Sequence, residues 1–280
     1  MSSQPAVRER PLAGAAPILG GARDYTQEVL ALANRWWIEL RRDRLNLVFN
    51  LIQPAVWMVF FGIGVGRTVN KTIIGTDDYI GFMLPGIIAF TIVGNGVASA
   101  MPLMWDKETG YLDKLMSMPI ARSSIIVSRF AFQLVLNSAQ ILIMVSVALA
   151  LDVKIATSVP GFVAILVVGG LLTLAFTAIF AALAYRVANH GTFFAVTGFI
   201  TLPLLFMSNA FVPLGAMPRW MEIIARLNPL TYAITAMRTL VLDGWETSLA
   251  TPFMVLVVVA FAFLAIGTLE FGRLTGQRAR

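Results

Sequence analysis

Six stretches of the chain contain no Asp, Glu, Lys or Arg, and each is long enough to cross a lipid bilayer as a helix. They span residues 45–66, 79–105, 130–151, 155–185, 191–218 and 247–269. About 20 apolar residues carry a helix across the hydrocarbon core. Only helices and closed barrels satisfy their backbone hydrogen bonds in lipid, and runs this long fit helices. We therefore predict an all-α integral membrane protein with six transmembrane helices, at about 45–66, 79–105, 123–151, 158–185, 191–212 and 250–270.

The charged residues predict which side of the membrane each loop occupies. Only 13% of the residues are charged, against about 25% in soluble domains. With six spans both termini share one side, which holds 15 of the 21 Lys and Arg but only 9 of the 15 acidic residues. The positive-inside rule makes that side cytoplasmic. The net charge of +6 therefore reflects membrane topology, and no nucleic-acid partner is expected.

The segments outside the spans are predicted from composition and periodicity. Residues 1–24 are rich in Pro, Gly and Ala and are predicted to be a disordered cytoplasmic tail. Residues 272–280 are predicted to be a cytoplasmic tail. Residues 25–44 form an amphipathic helix suited to the membrane interface, although a cytoplasmic extension of the first span fits the pattern too. Its predicted apolar side contains Val29, Leu32, Ala33, Trp36 and Leu40.

Residues 106–118 form a polar segment between two spans. Asp106 can cap a short helix that Pro119 ends, and Ser123 or Ser124 can cap the next span. The helix has an apolar face made of Tyr111, Leu112, Leu115 and Met116. Such a helix at the membrane surface is typical of a docking element, and an ordinary cytoplasmic loop is the alternative.

Residues 213–243 are too charged to span a membrane and too apolar for a free loop. Pro218 can begin one short helix, Asn228 breaks it, and Pro229 begins a second. The first has an apolar side of Trp220, Ile223, Ile224 and Leu227. Two such helices predict a re-entrant hairpin that acts as an outer gate, or else a cap lying on the surface.

Polar residues within the spans are the candidates for a transport pathway. Asn95 and Ser99 lie in the second span, and Asn137, Ser138 and Gln140 lie in the third. Polar side chains at this depth line a pathway or hydrogen-bond a neighbouring helix. The end of the fifth span adds four candidates whose alternative role is packing or lipid contact: Phe206, Ser208, Asn209 and Phe211.

The sequence offers little for catalysis. It has no cysteine and one histidine, and it contains no GxxxxGK[ST], HExxH or GxSxG motif. We expect no enzyme activity, cofactor or metal in this chain alone. The six stretches also lack the ionisable group that proton- and ion-driven transporters place at mid-membrane. An external source of energy is therefore expected, acting at residues 106–118.

Three motifs then resemble a known family. They are YIGFMLPGII at 79–88, DKETGYLDKLMSMPI at 106–120 and TLPLLFMSNAFVPLGAMPRWMEIIARLNPLTYAITAMR at 201–238. In this order they resemble the permease subunits of ABC-2-type exporters, above all the daunorubicin-resistance type. The resemblance covers nearly the whole chain after about Tyr25.

The resemblance implies an ABC-2 (type V) exporter fold, a second permease copy and two separate ATPase subunits that bind ATP and Mg. Residues 25–44 would be the family's elbow helix, and spans one, two and five would line the route. The outer gate would include Pro213, Trp220, Asn228 and Pro229. The coupling helix in the ATPase cleft would include Glu108, Gly110, Tyr111, Leu112, Asp113, Lys114, Leu115 and Met116.

The sequence therefore predicts an ATP-driven exporter permease that moves an amphiphilic drug, lipid or lipid-linked compound out of the cell. One alternative is a permease of the same fold that exports polysaccharide or lipid-linked glycan. Another is an ion-coupled secondary carrier, and a channel or structural membrane protein is a third.

Overall fold

The computed structural model describes residues 22–64, 66, 74–118 and 120–278, and the chain is helical throughout these parts except for short connections. The helices are α1 (Ala22–Arg42), α2 (Arg44–Gly64), α3 (Tyr79–Glu108), α4 (Tyr111–Ser117), α5 (Arg122–Ala150), α6 (Ser158–Arg186), α7 (His190–Phe206), α8 (Arg219–Leu227), α9 (Pro229–Leu242) and α10 (Ala250–Arg278).

Five helices of the described residues are long and apolar enough to cross a membrane. They are α2, α3, α5, α6 and the 247–269 segment that includes most of α10. The sixth predicted span, α7, is a shorter apolar helix of 17 residues, which rise about 25 Å. It ends at Phe206, because the carbonyls of Leu204 and Met207 accept hydrogen bonds from the side chain of Asn228 instead of continuing the helix.

The core lies between α3, α6 and α9. Its largest fully buried side chains include Leu84 and Ile88 of α3, Leu172 of α6 and Ile234 of α9. Small residues bring the helices close: a Cβ on Gly169 would lie 2.6 Å from the Ile141 side chain. The peripheral helices are less buried: only 17% of the membrane-spanning segment of α2 is buried, against 72% of that of α3.

The bundle has two ends, which the contacts of α1 and α9 define. The α1 end holds α1, α4, the last turns of α3 and α6 and the first turns of α5. At the far end, Asp78 caps α3 by accepting a hydrogen bond from the Gly81 amide at 2.8 Å. There the Thr157 hydroxyl donates to the Leu240 carbonyl at 2.7 Å, which holds the last turn of α9 beside the first turn of α6.

The amphipathic helix near the N-terminus is confirmed as a helix. Trp36 is buried, and Val29, Leu32, Ala33 and Leu40 are half-buried, so the predicted apolar side faces the bundle. The helix is not an extension of the first span. The helical conformation is interrupted at Asp43. The carboxylate of Asp43 accepts a hydrogen bond from the Asn46 amide at 3.1 Å and so caps α2.

Several predicted boundaries are wrong. Asp106 does not cap a helix, because α3 continues through it to Glu108 and the next helix follows Gly110, whose φ is 71°. Ser123 and Ser124 do not cap α5, which is preceded by Ala121. The helix that contains the sixth predicted span continues beyond 270 through Arg278. Residues 1–21 and Pro119 lie outside the described residues.

Candidate functional site

A cavity of about 610 Å³ lies among α2, α3, α5 and α7. Most of its wall is apolar, and its aromatic side chains are Trp57, Phe61, Phe90, Phe206 and Phe211. Four amide side chains also line it: Asn50, Gln53, Asn95 and Gln140. The cavity therefore offers an aromatic wall together with a small set of hydrogen-bonding groups.

Four polar residues form an amide cluster: the buried Asn95, Asn137 and Gln140 and the half-buried Asn50. The Asn95 amide donates to Asn137 Oδ1 at 2.7 Å and to Gln140 Oε1. Gln140 Nε2 donates to both the carbonyl and Oδ1 of Asn50, each at 2.7 Å. The interhelical role proposed for Asn95 is thus confirmed, although the residue also borders the cavity. The cluster ties α2, α3 and α5 together.

A second cavity of about 250 Å³ lies on the α1-end side of this cluster. It shares Asn50, Asn95 and Ala98 with the first cavity, so the two meet at the amide cluster. Its other polar lining residues include Glu39, Asp43, Ser99, Arg129 and Gln133. The larger and the smaller cavity together follow α3 from Ile87 to Pro102.

Arg129 is a buried cation that was not predicted from the sequence. Its side chain lies in the second turn of α5, and the residue is only 4% exposed. The guanidinium donates two hydrogen bonds to the Ser99 carbonyl and lies 4.0 Å from the Trp36 ring centroid. An Arg directly before a charge-free stretch was the available signal. Arg129 therefore fixes α5 and α1 to the part of α3 that borders the smaller cavity.

A bidentate ion pair joins α1 to α3. Arg35 contacts the two carboxylate oxygens of Asp106 at 2.8 and 3.2 Å. The same guanidinium lies 4.2 Å from the Tyr111 ring centroid, which brings α4 into the contact. Burial lowers the pKa of Arg35, but the hydrogen bonds and charge of Asp106 outweigh it, so the pKa is raised above its ordinary value.

The apolar face of α4 faces its own chain. Leu112 and Leu115 are 2% and 3% exposed, and Leu115 packs against Ile125 with Tyr111 beside it. These leucines cannot form an exposed docking surface as predicted, because the bundle already covers them. Glu108, Gly110 and Lys114 are exposed. The side chains of Asp113 and Met116 lie outside the described parts.

His190 gains an acidic neighbour that its own turn does not contain. Its Nδ1 lies 2.8 Å from a carboxylate oxygen of Glu108, at the end of α3. The Lys107 ammonium donates to the carbonyls of Tyr185 and Val187, at the end of α6. The last turn of α3 is thus bound to the α6–α7 connection on one side and to α1 on the other.

The predicted helix break at Asn228 is confirmed. Asn228 Oδ1 accepts a hydrogen bond from the Leu230 amide at 2.9 Å, which caps α9. Its Nδ2 donates to the carbonyls of Leu204 and Met207, at the end of α7. One side chain therefore serves the ends of two helices.

The two helices beside this break differ in burial. The apolar side of α8 is exposed, including Trp220 at 59% and Leu227 at 80%. By contrast, most of α9 is buried, and its first residue, Pro229, lines a cavity of about 370 Å³ with Phe176 and Phe180 of α6.

Arg238 of α9 is a second cation inside the bundle that was not predicted from the sequence, and it is half-buried. Its guanidinium donates to the carbonyls of Phe82, Asn209 and Ala210 at 3.1, 2.9 and 3.3 Å. It also lies 3.8 Å from the Phe82 ring centroid. Backbone acceptors leave no trace in the sequence, so this contact could be found only in the structure.

The predicted pathway residues separate into two groups. Asn95, Phe206 and Phe211 line the larger cavity, whereas Ser99 lines the smaller one. Ser208 and Asn209 line neither. The Ser208 hydroxyl donates to the Leu205 carbonyl, and Asn209 Nδ2 donates to the Thr235 hydroxyl. These two residues hold the turn after α7, and their contacts give them a structural role.

We expect replacement of Asn228 by Ala to lower the free energy of unfolding by about 2 kcal/mol, because two helix ends lose hydrogen bonds. Asn228→Ser keeps the oxygen acceptor and should lose about half as much. Asn189→Ala is the matched control, since Asn189 caps only the start of α7 and is exposed. Thermal unfolding of the purified variants ranks their stabilities. An equal loss of stability in Asn228→Ala and Asn189→Ala would contradict the prediction.

Comparison with known proteins identifies the family. A family model described as ABC-2 type transporter matches residues 27–242. The putative transport permease ycf38 of Porphyra purpurea is 36% identical over 217 residues, covering 77% of this chain and 74% of the relative. The daunorubicin resistance ABC transporter permease protein DrrB1 of Streptomyces coeruleorubidus is 26% identical over 225 residues, covering 79% and 78%. The inner membrane transport permease YadH of Escherichia coli K12 is 26% identical over 247 residues, covering 85% and 93%.

The matched region contains nearly every feature described above. It begins within α1 and ends with α9, so it includes the larger and the smaller cavity, the amide cluster, Arg129 and Arg238. The resemblance predicted from the three motifs is confirmed. With five helices long and apolar enough to span a bilayer, this chain is a multi-pass membrane permease that belongs to the ABC-2 type transporter family.

Proposed function

We propose that this chain is the transmembrane subunit of an ATP-driven ABC exporter in the plasma (inner) membrane, with both termini in the cytoplasm. It moves an amphiphilic drug, lipid or lipid-linked compound outward. Two copies of a separate ABC ATP-binding subunit bind ATP and Mg, and a second copy of the permease completes the passage. The relatives named for drug resistance support an amphiphilic cargo.

The larger cavity is the observation that carries this proposal. Its aromatic side chains suit the apolar part of an amphiphile, and its amide groups suit a polar part. Among the described residues that line it, none is ionisable. An ion-coupled carrier would need such a group or a built ion site here, so the cavity favours transport that an external ATPase drives.

The path from the ATPase to the cavity runs along α3. Glu108 and Asn95 lie on the same continuous helix, 13 residues apart in the sequence, or about 20 Å. α4 is held against α3 and α5 by its buried leucines and by Arg35, so a push on α4 moves the cavity wall. The contact surface for the ATPase is then the exposed set of Glu108, Gly110 and Lys114, with Leu112 and Leu115 as support.

The depth of α9 supports a re-entrant hairpin as the outer gate. Leu240 lies at the far end, beside Thr157, whereas Pro229 lies against α6 residues near Phe180. The 11 residues between them rise about 16 Å, roughly half the hydrocarbon thickness. Asn228, which is buried, and Pro229, which is half-buried, form the bend of the gate. The other arm contains the half-buried Pro213 and the exposed Trp220.

The exposed surface of α2 supports a second permease copy beside the larger cavity. Gln53 is exposed on this helix between apolar side chains such as Ile52 and Val56, which are also exposed. A polar side chain is costly in contact with lipid, so a partner or a water-filled groove covers it. A homodimer formed across α2 would provide both.

Reconstitution tests the proposal. The permease is co-purified with a candidate ABC ATP-binding subunit and placed in liposomes, and export of a fluorescent anthracycline, a labelled phospholipid or a labelled lipid-linked glycan is followed. We expect ATPase activity and export to require both chains. Export by the permease alone under an ion gradient would instead identify a secondary carrier, and export of a lipid-linked glycan only would identify the polysaccharide branch.

Charge reversal at Glu108 tests the coupling surface. We expect Glu108→Lys to reduce ATP-dependent export at least about tenfold, because the exposed carboxylate at the end of α3 contacts the ATPase. Membrane insertion should not change, and the free energy of unfolding should fall by less than about 1 kcal/mol, because the exposed Glu108 loses only its contact with His190. Glu246→Lys makes the same charge change on an exposed residue at the far end and should leave export intact. Normal export by Glu108→Lys would remove Glu108 from the coupling surface.

A further inference from the structure

Three helices place polar side chains on the faces that meet around the two cavities. α2 contributes Asn46, Asn50 and Gln53, α3 contributes Thr91, Asn95 and Ser99, and α5 contributes Gln133, Asn137 and Gln140. Each set recurs at spacings of three or four residues, so each lies on one face of its helix. Eight of the nine residues line one or both cavities, and Asn137 lies behind Asn95 in the amide cluster. We name these nine side chains the polar groove.

The polar groove covers part of the depth of the bilayer. Along α3 it runs from Thr91 to Ser99, a rise of about 12 Å against a hydrocarbon core of about 30 Å, within cavities that extend from Ile87 to Pro102. Apolar side chains border it, since Phe49, Val56 and Trp57 are exposed on α2. A polar strip with an apolar border can hold the polar head of an amphiphile while the remainder stays in an apolar environment.

The charges along the groove change with depth. At the α1 end, Glu39, Asp43 and Arg129 all line the smaller cavity. Past the amide cluster, the described residues that line the larger cavity include amides and a threonine but no ionisable side chain. A fully charged head would find no opposite charge there, whereas amides both donate and accept hydrogen bonds.

We propose that the polar groove selects an amphiphile whose head group is uncharged and rich in hydroxyl or amide groups, such as a glycosyl head. This inference rests on the proposed function and narrows its cargo. The apolar part of the cargo lies against the aromatic wall at Trp57, Phe61 and Phe90. Among the selecting residues, Gln53 is the one most available to bind a head group. It is exposed, it lines the larger cavity, and its side chain makes no hydrogen bond within the described parts of the chain.

Photolabelling of the permease in nanodiscs tests the selection without the ATPase. Three lipids share the same acyl chains and a diazirine next to the head, and their heads are glucosyl, phosphate and trimethylammonium. We expect the glucosyl lipid to label peptides containing residues 91–99 and 133–140 about tenfold more than the other two do. Equal labelling by all three lipids, or labelling only outside these peptides, would overturn the proposal.

A substitution that adds one negative charge to the cavity gives a more specific test. Gln53→Glu is nearly isosteric and introduces a carboxylate into the larger cavity, so labelling by the trimethylammonium lipid should rise to the level of the glucosyl lipid. Gln27→Glu, the same change on an exposed residue of α1, should leave the preference unchanged. An unchanged preference in Gln53→Glu would remove Gln53 as a selecting residue.

A matched pair of threonines tests the groove without a change of charge. Thr91 and Thr268 each donate a hydroxyl hydrogen bond to the carbonyl four residues earlier, at 2.8 and 2.9 Å. Only Thr91 lines the cavity. Thr91→Val should reduce glucosyl labelling about threefold and Thr268→Val should not, and equal effects would count against the groove.

The outcomes separate this inference from the exporter assignment. Loss of head-group preference with ATP-driven export intact overturns the polar groove alone. Selective labelling without ATP-driven export overturns the exporter assignment and leaves the groove as a binding site.

Discussion

Removal of Arg35 is expected to lower the free energy of unfolding by about 2–3 kcal/mol, because it leaves the carboxylate of Asp106 buried without its partner. The side chain of Asp106 is only 9% exposed, while that of Arg35 is 32% exposed, which reduces the loss below that of a fully buried pair. Thermal unfolding of Arg35→Ala should shift down by about 5 °C. Permease-dependent ATPase activity should fall as well, since α1 no longer holds α3 and α4 together.

A double variant separates the contribution of the ion pair to stability from that of the packing around it. Arg35→Leu combined with Asp106→Leu removes both charges, and we expect it to be more stable than Arg35→Ala alone. Arg41→Ala is the control on the same helix, because Arg41 is exposed, and its effect should stay within about 0.5 kcal/mol. If Arg35→Ala unfolds at the same temperature as Arg41→Ala, the ion pair does not stabilise the α1 end.

Replacement of Arg238 by Met is expected to cost about 3 kcal/mol. The methionine keeps the aliphatic stem but leaves the carbonyls of Phe82, Asn209 and Ala210 without their charged donor. Arg238→Lys should lose less, since it keeps a charge but cannot reproduce the forked geometry. Export should also fall, because Arg238 holds α9 against α3 and against the turn that leads from α7 to Phe211.

The control for this prediction is another Arg→Met change in the same hairpin. Arg226 is exposed on α8 and pairs with Glu222 at 2.6 Å, so Arg226→Met should cost less than about 1 kcal/mol. Thermal unfolding and export are measured for both variants. Equal stability of Arg238→Met and Arg226→Met would show that the carbonyl contacts contribute little.

Local features of the sequence were sufficient to predict most of the helices. A helix that crosses lipid must be apolar over about 20 consecutive residues, so hydropathy alone identified α2, α3, α5, α6 and α10. The buried side of α1 and the break at Asn228 also follow from local chemistry, through helical periodicity and the Asn-Pro pair. The end of α7 was predicted too late, because charge-free residues continue to 218 while the helix stops at Phe206.

The candidate site was predictable in part. Asn95, Phe206 and Phe211 were singled out from the sequence, and the structure brings them to one cavity with Gln140. The apolar face of α4 was predicted correctly, but the surface it packs against was not. The same helical periodicity is expected whether the face binds a partner protein or the chain's own bundle. Ser208 and Asn209 were selected for their polarity, and their hydrogen bonds instead hold a turn.

The sequence by itself determined that the chain crosses a membrane, where most spans lie and which family it resembles, because these depend on runs of neighbouring residues. Only the tertiary structure decided that Arg35 meets Asp106, that Arg129 and Arg238 bind backbone carbonyls, and that three polar helix faces converge. These contacts join residues up to 156 positions apart, as in the bond from Arg238 to the Phe82 carbonyl. Backbone acceptors are the same at every position, so no sequence pattern reveals which of them a buried cation will bind.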